Sequence, residues 1–135
     1  MLAVVVLGVW FHGDWTLLPL ILAGAVLFLA GGIIGVAGVV VLGGSRTPFP
    51  CPPAGARLVQ RGVYAWMRHP LYTSVMLASF GWALIWQSWP AGLAAVVLAV
   101  FYDAKARHEE HWLREAFPEY PDYQKRVRRF IPGIY

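Results

Sequence analysis

The sequence predicts an all-α, polytopic membrane protein with three to four transmembrane helices built around a helical hairpin. Three observations predict it. Of 135 residues, 59% are hydrophobic and only 13% are charged, where a soluble domain usually carries about 25% charged residues. Leu17 to Leu42 contains no charged side chain and is long enough to cross a ~30 Å hydrocarbon layer with some tilt. All eleven Lys and Arg lie within 46–68 or 105–129. The length allows one unit, 1–135, with the N-terminal transmembrane helices in 1–43.

Taken in order, residues 1–11 are apolar, but at ~1.5 Å per residue they reach only about half of the hydrocarbon layer. They read as a short or partial span, or as the remnant of a longer one. His12-Gly13-Asp14 breaks the chain between Trp10 and Trp15, aromatics suited to a membrane interface. In the long run that follows, Gly31, Gly35 and Gly38 offer shallow places for a neighbouring helix, although glycine is also simply common in membrane helices. Gly43 to Arg61 is a proline- and glycine-rich loop that favours an extended path; its lone thiol, Cys51, reads as inert. Pro70 suits the first turn of a helix, where its missing N–H costs nothing, and that helix runs from Leu71 to about Trp86. Gln87-Ser88-Trp89-Pro90 makes a tight turn. A return helix starts near Ala91, is apolar to Tyr102, and continues as a charged helix to about Ala116. Pro118 and Pro121 end it, leaving a basic, aromatic tail from Tyr120 to Tyr135.

The charge map orients these elements. The loop at 43–70 and the chain from 103 onward carry every cation, so both face the cytoplasm by the positive-inside rule. The turns near 12–16 and 87–90 face the other side. Two stretches distant in sequence, 57–72 and 103–130, therefore meet at one membrane face. The net charge of +4 follows this topology and does not point to nucleic acid. One cysteine excludes an intrachain disulfide, and the absence of a basic n-region argues against a cleavable signal peptide.

At that face Arg68-His69-Pro70 stands directly before the apolar helix. A cation beside a helix N-terminus opposes the macrodipole, so Arg68 calls for a negative partner, either a ligand carboxylate or an acid of the return helix. On that helix Asp103, Arg107, Glu110 and Arg114 are spaced to form a ladder of ion pairs on a solvated face, while Lys105 and Glu109 turn toward the apolar side. His108-Glu109-Glu110-His111 has i+3 rather than i+4 histidines and no third ligand, so no metal is expected. No P-loop, Gly-x-Gly-x-x-Gly or Gly-x-Ser-x-Gly is present.

Leu58-Val59, Gly62-Val63-Tyr64-Ala65-Trp66, Arg68-His69-Pro70 and Tyr72 resemble the signature of the isoprenylcysteine carboxyl methyltransferases. Glu109-Glu110, Phe117, Tyr120-x-x-Tyr123, Lys125-Arg126-Val127 and Ile131-Pro132 extend the resemblance over the core, 56–132. It implies a cytosolic C-terminal cofactor-binding segment and S-adenosylmethionine as methyl donor. The implied cofactor-binding residues are Ala56, Arg57, Leu58, Val59, Tyr64, His69, Pro70, Leu71, Tyr72 and Glu110; the candidate catalytic residues are Arg68, Lys105 and Glu109. The implied acceptor is lipophilic, the carboxylate of an isoprenylated cysteine, reached from membrane lipid. This chain departs from the family pattern at Lys105, which stands where the family has arginine and loses its bidentate fork, and at Pro118, which replaces a glycine. A phospholipid amine or small thiol remains the second reading of the acceptor, and a nicotinamide-dependent lipid reductase the third reading of the chemistry.

Overall fold

The computed structural model describes residues 1–13, 17–43 and 58–135. Ala56, Arg57, Cys51, Trp15 and the proline-rich part of the loop fall outside the described residues. Within them the fold is all-helical: α1 (Leu2–Trp10), α2 (Leu18–Leu42), a short 3₁₀ turn (Gly62–Ala65), α3 (Pro70–Ile85), α4 (Trp89–Ala116) and α5 (Tyr120–Arg126). α2 and α4 are each long and apolar enough to cross a membrane, and α3 is a shorter apolar helix.

α2 and α3 pack antiparallel along a glycine seam. Gly24, Gly31 and Gly38, seven residues apart, are the buried residues of α2. A Cβ on Gly24 would lie 2.7 Å from the Gly81 carbonyl oxygen, and one on Gly31 would lie 2.7 Å from that of Ser74. Gly38 meets the Leu71 side chain in the same way, at 2.9 Å. The seam thus uses Gly31 and Gly38 as the sequence suggested and adds the facing pair Gly24 and Gly81. Close backbone approach is the usual basis of helix association where lipid removes the hydrophobic driving force.

The hairpin between α3 and α4 differs from expectation. Trp89 and Pro90 belong to the helix, not the turn, because Ser88 Oγ accepts the Ala91 N–H at 3.4 Å and caps α4. The same hydroxyl donates to the Leu7 carbonyl at 3.1 Å. α1 lies alongside the second half of α3: Ser79 Oγ donates to Met1 Sδ and Trp82 Nε1 to the Val5 carbonyl. Its nine residues cover about 13 Å, a partial span. Gly13 N–H donates to the Trp86 carbonyl at 3.1 Å, bringing the two ends that lack Lys and Arg together.

At the other end lie the 3₁₀ turn, the start of α3, the charged half of α4 and the tail. Pro121 does not end a helix but sits in the first turn of α5, as its fixed φ allows. Phe117, Tyr120, Tyr123 and Val127 form a small core with Leu58 and Leu113 against it.

Candidate active site

The site is built around one sealed carboxylate. Glu110, beyond the apolar stretch of α4, is 0% exposed. Arg68 donates to its Oε1 through Nε (3.0 Å) and Nη2 (2.8 Å). Arg129 grips both oxygens, Nε to Oε1 at 3.0 Å and Nη2 to Oε2 at 2.9 Å. His69 Nε2 donates to Oε1 at 3.2 Å, and Gln124 Nε2 to Oε2 at 3.0 Å. Burial alone would raise the Glu110 pKa, but the hydrogen bonds from His69, Arg129 and Arg68 together hold it well below the usual carboxylate range. The remaining donor of Arg68, Nη1, goes to the carbonyls of Gln124, at 3.2 Å, and Val127. The Arg68 N–H donates to the Arg128 carbonyl and the His69 N–H to that of Arg129, so the tail is zipped to the start of α3.

The neighbouring carboxylate, Glu109, faces an open edge. Its Oε1 accepts the Tyr72 hydroxyl at 2.5 Å and lies 3.8 Å from Lys105 Nζ; its Oε2 is 3.9 Å from His69 Nδ1. Lys105 is 44% exposed in its side chain against 16% for Glu109. Tyr72 is sandwiched between His69 (ring centroids 5.4 Å, 5° apart in plane) and Tyr102 (4.7 Å), and Lys105 Nζ stands 5.3 Å from the Tyr72 ring centre. A carboxylate beside stacked phenols is a set of groups that attracts a compact cation by charge and by ring quadrupole.

The predicted site residues divide accordingly. His69, Tyr72, Lys105 and Glu109 converge. Tyr64 is buried nearby, its phenol pushed up to about 12 by that burial, and its carbonyl accepts the Tyr123 hydroxyl at 2.5 Å. Leu58 packs on the tail core, Val59 is half-buried beside it, and Pro70 is fully buried. Leu71 points into the helix seam against Gly38, which leaves its side chain away from the open edge.

Two expectations are corrected. Glu110 is neither part of a solvated ladder nor open to a ligand, because the tail folds over it and four protein side chains occupy its oxygens. Arg68 turns all three guanidinium nitrogens to protein, so of the two partners expected for it, a ligand carboxylate or an acid of the return helix, the structure has the acid. Of the expected ladder, the Arg107–Asp103 pair forms at 2.7 Å, whereas Arg114 turns to Gln124. His108 meets Trp112 edge to face and His111 pairs with Glu115. Sequence reasoning missed Arg129, Gln124 and Tyr102. Only the mismatch between one buried acid and the many donors it could serve would have hinted at the first two.

The sequence model of the phospholipid methyltransferase family matches residues 20–120, and the chain belongs to that family. It is 37% identical over 78 residues to the nickel-cobalt-cadmium resistance protein NccN of Alcaligenes xylosoxydans xylosoxydans, covering 57% of this chain and 37% of that one. It is 35% identical over 80 residues to protein-S-isoprenylcysteine O-methyltransferase B of Arabidopsis thaliana, covering 58% of this chain and 41% of that one. The solved structure of the eukaryotic intramembrane Ras methyltransferase ICMT superimposes with a TM-score of 0.77 at 26% identity, over 85% of this chain and 43% of that one. The resemblance to isoprenylcysteine carboxyl methyltransferases drawn from the motif residues is thereby borne out, as is an integral membrane protein. The chain spans well under half the length of these relatives.

Proposed function

We propose that the protein is an integral membrane methyltransferase that moves a methyl group from S-adenosylmethionine to a lipophilic acceptor, the carboxylate of an isoprenylated cysteine. The observation that carries this reading is the open edge of Glu109, Tyr72, Tyr102 and Lys105, set where apolar α4 becomes charged. The donor set fits a sulfonium: a partly exposed carboxylate lies against two stacked aromatic rings. When bound, the donor supplies a methyl on a positively charged sulfur; transfer forms an O–CH₃ bond, breaks the S–CH₃ bond and leaves a neutral thioether.

Glu109, Tyr72, Tyr102 and His69 would hold the sulfonium side, with Leu58, Val59 and Tyr64 toward the tail. Lys105, exposed at the edge beside Glu109 and Tyr72, draws the acceptor carboxylate to the same place. Its attraction also disfavours an ammonium acceptor. Arg68 and Glu110 act as positioning residues, fixing His69 and through it the Tyr72 ring. Because the reacting charges neutralise one another, exclusion of water lowers the barrier, and the protein's main task is alignment. No base is needed for an acceptor already ionised. In this reading α2, α3 and α4 cross the membrane, α1 crosses part of it, and the site faces the cytoplasm, as the confinement of cations to one end supports.

A second acceptor, a phospholipid amine, is favoured by the breadth of the family match; Glu109, in contact with His69, would then take the proton. Titration of the detergent-purified protein with S-adenosylmethionine tests the shared core of both readings. Saturable binding, abolished in His69→Ala, is expected; absence of saturable binding to the wild type overturns them.

A further inference from the structure

The cations at the site end are unevenly partnered. Arg68, Arg129, Lys105, Arg107 and Lys125 each meet a carboxylate. Arg61 and Arg128 are exposed, and neither side chain has a partner among the described residues. Arg126 has only neutral oxygens, Gln60 Oε1 at 3.1 Å and the Asp122 carbonyl at 3.3 Å. The fold brings the segments that carry them together: Arg126 donates to Gln60, the residue before Arg61, and Arg128 pairs in a parallel bridge with Met67. The 61–67 turn in turn packs on the last turn of α2, since a Cβ on Gly62 would meet Val41 at 2.6 Å.

A second observation points the same way. Around these arginines the surface exposes large apolar side chains: Trp66 at 69%, Ile131 at 49% and Ile134 at 76%. Unpaired arginines interleaved with exposed aromatic and aliphatic groups describe a surface that lies in a lipid interface rather than in water.

We infer that the 61–67 turn and the 126–134 tail rest on the membrane and bind anionic phospholipid headgroups through Arg61, Arg126 and Arg128, with Trp66, Ile131 and Ile134 dipping among the lipids. The interaction concerns the membrane around the site and stands apart from the methyl-transfer reading. It would tie the tail that covers Glu110 to the bilayer from outside.

The test uses the full chain in nanodiscs of mixed phosphatidylglycerol and phosphatidylcholine, with retained lipids counted by native mass spectrometry. Each arginine should contribute roughly a five-fold preference for the anionic lipid, so Arg61→Gln with Arg128→Gln should weaken that preference about twenty- to thirty-fold. Neither side chain has a partner to lose among the described residues, and unchanged S-adenosylmethionine binding by the double variant would show the site intact. The Trp66 share of the fluorescence, taken as the difference between the wild type and Trp66→Phe, should be quenched by brominated phosphatidylglycerol more than by brominated phosphatidylcholine, and free inorganic phosphate should not compete. Equal retention of both lipids by the wild type, an unaltered preference in the double variant, or displacement by free phosphate would each overturn the proposal.

Discussion

Two adjacent carboxylates on one helix do opposite work. Glu110 is sealed, with two arginines, a histidine and a glutamine on its oxygens, while Glu109 keeps a partly exposed side and leans on a phenol and an exposed lysine. Neighbours in sequence point about 100° apart around a helix. One therefore turns under the tail and the other toward Tyr72 and Lys105. The sealed acid organises the fold of this end of the molecule; the other is the one that would meet a ligand in the function proposed above. Charge alone does not make a residue a ligand-binding one, and the count of protein donors already spent on it is the better guide.

The largest effect should come from breaking the sealed side. Glu110→Gln leaves Arg68 and Arg129 without their common counter-charge, a loss of about 3–5 kcal/mol for a buried pair deprived of one partner. Thermal unfolding should report it, and limited proteolysis should now cut after Val127. The same acid sets a pH dependence. Above the ordinary carboxylate pKa of about 4.3, Glu110 is ionised in both folded and unfolded chains and its stabilisation is whole. Below that pH the unfolded chain takes up a proton that the hub resists, so stability falls progressively as pH drops. Glu110→Gln should flatten that part of the profile.

On the open side the effect should move from stability to turnover. Glu109→Gln and Lys105→Ala should change the melting temperature little, since a half-exposed pair contributes roughly 0–1 kcal/mol. Lys105→Ala should leave S-adenosylmethionine binding intact yet lower turnover of a carboxylate acceptor by on the order of ten- to a hundred-fold; unchanged turnover would remove Lys105 from the site. The smallest effect belongs to the surface rung. Arg107→Ala, which removes the exposed pair with Asp103, should leave both unfolding and binding where they are.

Much of the fold was legible in the sequence because membrane helices declare themselves through length and missing charge. The boundaries of α2 and α3 fall within a residue or two of expectation, and the confinement of Lys and Arg forecast that 57–72 would meet 103–130. That Arg68 needs a negative partner followed from its place before a helix, but the choice of Glu110 did not. The spacing of Asp103, Arg107, Glu110 and Arg114 describes a helix face; only the tail, folding back across more than ten residues, decides that Glu110 lies dry. Arg129 sits in a run of basic residues that reads as an ordinary tail, and Pro121 reads as a stop when it is a start. These are non-local facts, and periodicity does not carry them.

The measurement that tests the account most directly is transfer of a labelled methyl from S-adenosylmethionine by the reconstituted protein to parallel panels of prenylcysteine, phospholipid and thiol. The account predicts label in the prenylcysteine product, released by mild base as expected of a methyl ester, and lowered in Lys105→Ala. Base-stable label on the phospholipid or thiol would contradict the acceptor assigned here, and label on no acceptor would contradict the reaction itself.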